Sequence, residues 1–449
     1  MFPIFNNYTN FVINNFTLKY NKQGDFLMQY TIKKTKTIIR IVLLLFFFLS
    51  TYVLADDVDE DVLSKLELET LVVESGTTPT NEPNLNAKSA VIYDSTTKQI
   101  IWGKNENDKR PMASTTKIMT AIVVIENSSL SDVVTVSKKA AATGGSRLKI
   151  NAGDKITVND LLYGLMLCSG NDAAVALAEH VSGNLTSFAN LMNEKAKDLG
   201  LKNTHFITPH GLDDSQHYTT AYELALLTDY ALRNETFAKI VNTKNTTINI
   251  NTGSRTINNT NELLGYINGV NGVKTGFTNN AGRCLVASCA RNNNKIITVV
   301  LGCDTKKQRT SDSINLIEYA FQNYKKVNLE ELVQKEFENW KKINLERVNI
   351  NKAKSQAISV SLSEITQKQI TIKNEEEKDI LIETNAIYNF EAPLKNGTKI
   401  GNIVVKNKDE IIETIDIICS HTIERKDIFS YFKELLSVIP NWKQFSSST

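Results

Sequence analysis

The chain has 449 residues, of which 41% are hydrophobic, and a formal net charge of +2 at pH 7. This length predicts about two or three domains, and the hydrophobic fraction is large enough for packed cores rather than wholesale disorder. A nearly neutral chain is poorly matched to the phosphates of nucleic acid, so no nucleic-acid partner is expected. The five cysteines form no C-x-x-C pair, which does not support a disulfide framework, and neither a metal nor another cofactor is expected.

Residues 1–55 have the pattern of a secretory signal. Basic side chains at 33–40 precede the apolar run IVLLLFFFL, and Val53-Leu54-Ala55 resembles a signal-peptidase site. The apolar run is shorter than the roughly 20 residues that cross a bilayer as a helix. We therefore predict a signal region over 1–55 and export of the protein, with an uncleaved N-terminal anchor as the alternative. Because a signal normally begins near its charged segment, Met28 is a candidate for the true initiator.

Residues 56–86 separate this signal from the folded part of the chain. They begin with a cluster of aspartates and glutamates and end in TTPTNEPNLN. Charged and proline-containing polar segments of this kind stay solvated, so we predict an acidic, flexible spacer.

The region 87–330 has strand patterns at its two ends and helical patterns between them. Short apolar runs separated by polar turns predict two β-hairpins, at 89–94 with 98–105 and at 284–290 with 295–302. End strands that enclose a helical insert indicate one mixed sheet flanked by helices, which makes this an α+β domain.

Two further segments follow. Residues 343–423 consist of short β-rich runs with turns, which predicts a small all-β domain. In 425–440, Ile428, Phe432 and Leu435 fall on one side of a helical projection, opposite charged residues. We predict an amphipathic helix that lies in the membrane interface, because the segment is too short and too charged to span a bilayer. The alternative is that this stripe packs on the β domain as ordinary core.

Three short motifs carry the candidate chemistry. The first is Ser114-Thr115-Thr116-Lys117 at the start of an apolar helix. A serine and a lysine three residues apart share one helix face, so the amine can take the hydroxyl proton if burial disfavours its charged form. Taken alone, this motif is weak evidence, because a helix N-cap followed by a solvated lysine has the same pattern.

The second motif is Ser169-Gly170-Asn171, in a short loop between two helices, and the third is Lys274-Thr275-Gly276, on or beside a strand. The second can present a hydroxyl and an amide to a cleft, although, taken alone, an ordinary helix N-cap is the better explanation. The third offers a cation and a hydroxyl to a substrate carboxylate, and its glycine permits a close backbone approach. An exposed lysine in a hairpin turn is the competing interpretation.

The order S-x-x-K, S-x-N, K-T-G is more specific than any one motif, with intervals of 55 and 105 residues. It resembles the penicillin-recognising serine enzymes. Within them the chain is most similar to the D-alanyl-D-alanine carboxypeptidases, the low-molecular-weight penicillin-binding proteins of the S11 peptidase family. Supporting stretches include LLYGLMLCSGNDAAVALAEH at 161–180 and GVKTGFTNNAGRCLVAS at 272–288. The resemblance implies a penicillin-binding transpeptidase-like fold followed by the small β domain and the terminal helix.

The resemblance also implies a reaction and a set of site residues. The enzyme is expected to remove the terminal D-alanine from peptidoglycan stem peptides through an acyl-enzyme, and β-lactams should acylate the same serine. The oxyanion would be held by the backbone N–H groups of Ser114 and Phe277. The implied side chains are Ser114, Lys117 and Ser169 for catalysis and Asn171, Lys274, Thr275 and Gly276 for substrate binding. The expected location is the outer face of the cytoplasmic membrane or the cell wall.

Other functions remain open at this point. A transpeptidase uses the same acyl-enzyme, a β-lactamase has the same three motifs, and a wall-anchored penicillin sensor would keep the fold without catalysis. The segment between the second and third motifs lacks the E-x-x-L-N sequence of a fast-deacylating β-lactamase. A zinc peptidase would need a ligand set such as H-E-x-x-H, and His205, His210 and His217 do not have that spacing. We expect these histidines to order a loop beside the cleft.

Overall fold

The computed structural model of the protein describes residues 67–71 and 82–438, so the predicted signal region 1–55 lies outside the described residues. The helices of this part are α1 Lys117–Asn127, α2 Lys138–Ala141, α3 Val158–Leu167, α4 Asn171–Ser182, α5 Leu185–Asp198, α6 Ala221–Leu232, α7 Glu235–Val241, α8 Lys306–Asn323, α9 Leu329–Asn344 and α10 Ile428–Val438. Single 3₁₀ turns occur at Ala113–Thr116, Leu345–Arg347 and Asn374–Asp379.

The strands of the first domain are β1 Ser89–Asp94, β2 Gln99–Lys104, β3 Val133–Thr135, β4 Lys155–Thr157, β5 Asn245–Ile250, β6 Gly253–Asn258, β7 Val270–Thr278, β8 Gly282–Arg291 and β9 Asn294–Cys303. The remaining strands are β10 Tyr324–Asn328, β11 Asn349–Asn351, β12 Val360–Leu362, β13 Gln369–Lys373, β14 Ile380–Ala386, β15 Asn389–Glu391, β16 Lys399–Asn407 and β17 Glu410–Cys419.

The main sheet has the strand order β2-β1-β9-β8-β7. Both predicted hairpins are present, as β1–β2 and β8–β9. The second hairpin turns through Asn292 and Asn293, whose φ angles are 48° and 64°, a left-handed conformation that asparagine tolerates better than most residues. All neighbouring strands in this sheet run antiparallel. The predicted α+β class is therefore confirmed, but the sheet is antiparallel and the prediction of a mixed sheet is wrong.

Alternate residues of the sheet strands enter two different cores, as the two-residue period of a strand requires. Val91 and Val299 contact the helical side, which includes the almost completely buried helix α1. Their neighbours Ile92 and Val300 face α8 on the opposite side. Helices thus pack on both faces of the sheet, and its edge strand β7 carries the third motif.

The predicted acidic spacer is not solvated throughout. Residues 67–71 are helical, and Leu68 and Leu71 are each only 3% exposed. Leu71 belongs to the core on the α8 side of the sheet, together with Leu285 and Ile317. The acidic composition of 56–86 indicated a solvated segment, although Leu68 and Leu71 are buried. The prediction of a flexible spacer is therefore wrong for residues 67–71.

The second domain begins earlier in the chain than predicted. Its four-stranded sheet has the order β12-β17-β16-β14, in agreement with an all-β domain over 343–423. However, β10 pairs with β13, and α9 contributes Val333, Phe337 and Trp340 to the core of this domain. The boundary therefore lies near Tyr324 rather than at 330, and one helix covers the sheet.

Helix α10 exposes several large apolar side chains. Ile428 and Phe429 are 79% and 80% exposed, and Phe432 and Leu435 are 60% and 61% exposed. These values do not agree with the alternative in which the stripe packs on the β domain as ordinary core. Within residues 67–71 and 82–438, no helix combines the length and the hydropathy needed to span a bilayer.

The five cysteines of the chain are free thiols. Cys284 and Cys289 lie buried in β8, and Cys303 and Cys419 are buried as well. Burial raises the pKa of the Cys284 and Cys289 thiols to about 11 and raises the pKa of Cys303 further still. These side chains therefore behave as small apolar core residues.

Candidate active site

The first motif forms the turn that leads into α1. Ala113–Thr116 is a 3₁₀ turn and α1 begins at Lys117, so Ser114 and Lys117 lie one turn apart on the same face. Lys117 Nζ lies 2.7 Å from Ser114 Oγ. The serine is 4% exposed and the lysine is completely buried. The competing interpretation of a solvated lysine is therefore wrong.

Three hydrogen-bond acceptors surround the Lys117 amine. Its nitrogen donates to Asn171 Oδ1 at 2.7 Å and to the backbone carbonyl of His210 at 2.8 Å. With Ser114 Oγ as the third contact, these acceptors match the three N–H groups of an ammonium, and a neutral amine in the same place would direct its lone pair at the serine. Complete burial disfavours the ammonium form. The amine is thus arranged to accept the serine proton.

The second motif occupies the loop between α3 and α4. Ser169 is 6% exposed and has a φ of 59°, and Asn171 begins α4 with its side chain on Lys117. Burial raises the pKa of the Cys168 thiol, which directly precedes Ser169, to about 11. The charge of Lys274 opposes this increase. The loop that carries Ser169 therefore lies near both the first and the third motif.

A buried carboxylate holds this loop against residues 144–150. Asp172 Oδ1 accepts from the backbone N–H of Leu148 at 2.7 Å, and Oδ2 accepts from that of Ile150 at 3.2 Å. Asn171 adds two bonds, from its backbone N–H to Ser146 O at 2.8 Å and from its side-chain amide to Gly144 O at 2.9 Å. The sequence analysis did not identify Asp172, although an acidic residue in the first turn of a helix was a usable signal.

The third motif lies on β7, at the edge of the main sheet. Lys274 is 1% exposed and donates to Thr275 O at 2.9 Å, and Thr275 Oγ1 lies 2.8 Å from Thr260 Oγ1. An edge strand directs alternate backbone N–H groups away from its single neighbour, where a ligand can meet them. Phe277 follows on the same strand, and the Arg283 guanidinium lies 3.7 Å from the centre of its ring.

Gly276 lies against the turn that carries Ser114. A Cβ atom at this position would lie 3.1 Å from Ser114 N and 3.2 Å from Met112 O. The missing side chain therefore allows β7 to approach the backbone of the Ala113–Thr116 turn. The prediction that Gly276 also permits a close approach of the backbone to substrate stays a prediction.

The segment 205–219 contacts the Ala113–Thr116 turn from another side. Gly211 has a φ of +89°, and a Cβ there would lie only 1.9 Å from Ala113 O. His217 Nδ1 accepts from the backbone N–H of Ile207 at 2.9 Å, so its Nε2–H donates to Thr116 Oγ1 at 2.7 Å. Burial lowers the pKa of His217 to about 4, which agrees with this neutral tautomer.

His210 completes the contact between this segment and the first motif. Its carbonyl is one of the two acceptors on Lys117, and burial lowers the pKa of its imidazole to about 3. The prediction that these histidines order a loop beside the cleft agrees with these bonds. Within the described residues, no group of three or more His, Cys, Asp or Glu side chains is arranged to hold a metal.

The site contains a buried lysine in contact with a serine, an asparagine bonded to that lysine, and a lysine-threonine pair on an adjacent edge strand. This combination is typical of the serine acyl-transfer sites of the penicillin-recognising class. The sequence profile of the D-alanyl-D-alanine carboxypeptidases matches residues 76–305. A second profile, that of the C-terminal domain of penicillin-binding protein 5, matches residues 339–425. The chain belongs to the S11 family of D-alanyl-D-alanine carboxypeptidases, the low-molecular-weight penicillin-binding proteins.

Individual relatives agree over most of the chain. The D-alanyl-D-alanine carboxypeptidase DacF of Bacillus subtilis is 33% identical over 82% of this chain and 92% of its own length. Penicillin-binding protein 5 of Haemophilus influenzae superposes with a TM-score of 0.61 at 30% identity, over 77% of this chain and 99% of that one. The DD-transpeptidase of Streptomyces K15 superposes with a TM-score of 0.52 at 36% identity, over 54% of this chain and 99% of that one.

Proposed function

We propose that Ser114 is the nucleophile through which this D-Ala-D-Ala carboxypeptidase removes the terminal D-alanine of peptidoglycan stem peptides. The observation that carries the proposal is the 2.7 Å contact between the buried Lys117 Nζ and Ser114 Oγ, with Asn171 Oδ1 and the His210 carbonyl holding the same nitrogen in place. β-Lactams, which inhibit this family, would acylate the same oxygen.

The acylation step follows from these positions. Lys117 Nζ accepts the Ser114 proton while Oγ bonds to the carbonyl carbon between the last two D-alanines. Negative charge then develops on the carbonyl oxygen, and the backbone N–H groups of Ser114 and Phe277 are the proposed donors to it. When the C–N bond breaks, the proton passes from Lys117 through Ser169 to the leaving amine.

Deacylation returns the enzyme to its starting state. Water attacks the ester carbon, its proton passes to Lys117, and the bond to Ser114 Oγ breaks as the serine regains a proton. The products are D-alanine and a stem peptide shortened by one residue. Lys274 and Thr275 would hold the terminal carboxylate, because a buried cation beside a hydroxyl suits an anionic end group.

Transpeptidation is the second candidate activity. The DD-transpeptidase of Streptomyces K15 has the same fold over the first domain, with 36% identity and a TM-score of 0.52. An amine that reaches the acyl-enzyme before water would give a cross-linked peptide by the same two steps. Nothing in the position of Ser114 or Lys117 selects between the two acceptors.

The proposed location is the outer face of the cytoplasmic membrane. The signal pattern in 1–55 would direct export, and α10 would attach the enzyme to the lipid surface. Phe429 and Phe432, 80% and 60% exposed, supply apolar surface of the kind that enters the acyl boundary. Lys433 lies on the exposed surface of the same helix, where it can meet anionic headgroups.

A fluorescent penicillin and a stem pentapeptide test the catalytic proposal together. We expect Ser114→Ala and Lys117→Ala to lose covalent labelling and D-alanine release, because the two side chains act as a unit. The exposed pair Ser129→Ala and Lys202→Ala provides matched controls that should retain both activities. Covalent labelling of the Ser114→Ala protein would refute the assignment, and an added amine acceptor would reveal transpeptidation as a new product.

A further inference from the structure

A cavity of about 490 Å³ lies away from the three motifs, beside the β1–β2 turn and the β8–β9 hairpin. We name it the basic cavity because its wall contains Lys98, Arg233, Lys239 and Lys295 but a single acidic residue, Asp229. Neither Ser114 nor any other proposed catalytic side chain lines it. The chain as a whole is almost neutral, so this local excess of positive charge is not a consequence of composition.

Asp229 neutralises only part of this charge and fixes two of the cations in place. Its carboxylate accepts from Lys98 Nζ at 2.9 and 2.8 Å and from Arg233 Nη2 at 2.6 Å. The carboxylate itself is 8% exposed, so its charge is largely covered by these two partners. These bonds already fix the Lys98 and Arg233 side chains at the wall. A ligand that binds there would therefore cost little additional side-chain entropy.

The other two cations have no such partner. Across residues 67–71 and 82–438, no acidic side chain forms an ion pair with Lys239 or Lys295, and both are exposed. The wall also includes Asn271, whose Oδ1 accepts from Ser288 Oγ at 2.5 Å. This bond fixes the side chain so that its Nδ2 amide remains as a donor.

We propose that the basic cavity binds a phosphate group carried by an ester. Several ammonium groups, one guanidinium and an amide on one wall match an anion with several oxygen acceptors and more than one negative charge. The volume exceeds that of a single phosphate ion, which leaves room for the ester group. A soluble or polymeric phosphate ester and a phospholipid headgroup share this chemistry.

Binding here also has a structural route to the reaction site. Asn271 lies on β7, three residues before Lys274. On the neighbouring strand β8, Ser288 pairs with Gly272 and Val286 pairs with Lys274. An occupied cavity would therefore contact the same strand that presents the third motif. The ligand would hold the enzyme at a phosphate-rich surface without entering the cleft.

The test uses the full chain and two phosphate probes. Glycerol 3-phosphate is titrated by calorimetry, and binding to phosphatidylglycerol vesicles is measured by co-sedimentation. The pocket variant is Lys239→Gln with Lys295→Gln, and the matched control is Lys197→Gln with Lys202→Gln, two exposed lysines on and after α5. We expect the pocket variant to weaken binding of at least one probe about tenfold or more, since two charge-assisted contacts are lost.

The two probes distinguish the sources of the ligand. Pocket-dependent binding of glycerol 3-phosphate identifies a free or polymer-borne ester, whereas pocket-dependent binding of vesicles alone identifies a lipid headgroup. Helix α10 contributes equally to vesicle binding by the pocket variant and by the control. The difference in binding between these two variants therefore reports on the basic cavity alone. D-Alanine release from a soluble pentapeptide should be unchanged in either variant. If the pocket variant and the control bind both probes equally, the proposal is wrong.

Discussion

Gly276 on β7 faces the backbone of Ser114 so closely that no side chain fits between them without displacement. A Cβ atom at Gly276 would come within 3.1 Å of Ser114 N, 3.2 Å of Met112 O and 3.2 Å of Ala113 Cβ. Backbone atoms cannot rotate away as the end of a long side chain can. The separation between the third motif and the nucleophile is therefore set by the absence of a side chain at this glycine.

We expect Gly276→Ala to lower the rate of acylation by penicillin between about tenfold and a hundredfold, because a small displacement of reacting groups has effects of this size. Stopped-flow labelling with a fluorescent penicillin measures this rate. Gly103→Ala on β2 is a suitable control, since the added Cβ there meets the flexible side chain of Glu106. Equal acylation rates in the two variants would show that the contact does not position the nucleophile.

Asp172→Asn should slow acylation by about tenfold and lower the melting temperature. The amide offers one acceptor where the carboxylate offers two, so the backbone N–H of Leu148 or Ile150 is left buried without its partner. The displaced loop would then shift Asn171 and, with it, Lys117. The rate is measured below the melting range, beside Asp160→Asn in the first turn of α3. An unchanged rate with a lowered melting temperature would leave Asp172 a purely structural role.

Lys274→Arg should retain more D-alanine release than Lys274→Ala, because the guanidinium keeps the charge proposed to hold the substrate carboxylate. Both variants should be slower than the wild type, since a side chain that is 1% exposed leaves little room for a larger group. Steady-state kinetics on a pentapeptide separates kcat from KM. Equal losses at saturating substrate would instead indicate proton transfer or strict geometry at this position.

Stability should fall as the pH is lowered from about 6.5 towards 4. An unfolded chain protonates histidine near 6.5, whereas burial lowers the pKa of His217 in the folded protein to about 4. Between these values the unfolded state binds the additional proton, so acid favours unfolding, by roughly 3 kcal/mol at most for this one group. Above 6.5 the contribution is fully present.

Thermal unfolding at pH 7 and pH 5 measures this effect. The decrease in melting temperature should be smaller in His217→Asn than in the wild type, although the variant is less stable at pH 7 because it loses the bonds to Ile207 and Thr116. His210 should still contribute, since burial lowers its pKa to about 3. His421→Asn, on the exposed surface of the β domain, should keep the wild-type decrease. The same decrease in His217→Asn would contradict the assignment.

Truncation after Glu424 should release the enzyme from membranes while D-alanine release from a soluble peptide is retained. The deletion removes α10, whose exposed apolar side chains include Phe429 and Phe432, and it leaves the core of the β domain intact. Co-sedimentation with vesicles measures the change. A double substitution, Phe429→Ser with Phe432→Ser, should have the same direction in the full chain. Continued sedimentation of both proteins would exclude the helix as the attachment.

Local patterns in the sequence predicted the local structure well. The hairpin of β8 and β9 could be recognised because its strands and its Asn292–Asn293 turn are adjacent in the chain. The same is true of Ser114 and Lys117, whose spacing alone places them on one face. Helix α9 was missed because its apolar residues lie among many charged ones in a segment between the two predicted domains.

Contacts between distant segments could not be predicted in this way. Nothing near Gly211 in the sequence indicates that its Cα faces Ala113 O, and nothing near His217 indicates its bond to Thr116. The antiparallel order of the sheet likewise depends on the β1–β9 pairing, which joins residues about 200 positions apart. These long-range contacts fix the geometry of the site, whereas the motifs fix its chemistry.

The buried thiols affect how the protein can mature outside the cell, where it is proposed to act. Thiolates, not thiols, exchange with disulfides, and the Cys284 and Cys289 thiols, with pKa values raised to about 11, are almost entirely protonated at neutral pH. Once the sheet has formed, it also shields them sterically from oxidants and small disulfides. An exported chain would therefore be vulnerable to wrong cross-links at these two positions only until β8 is covered.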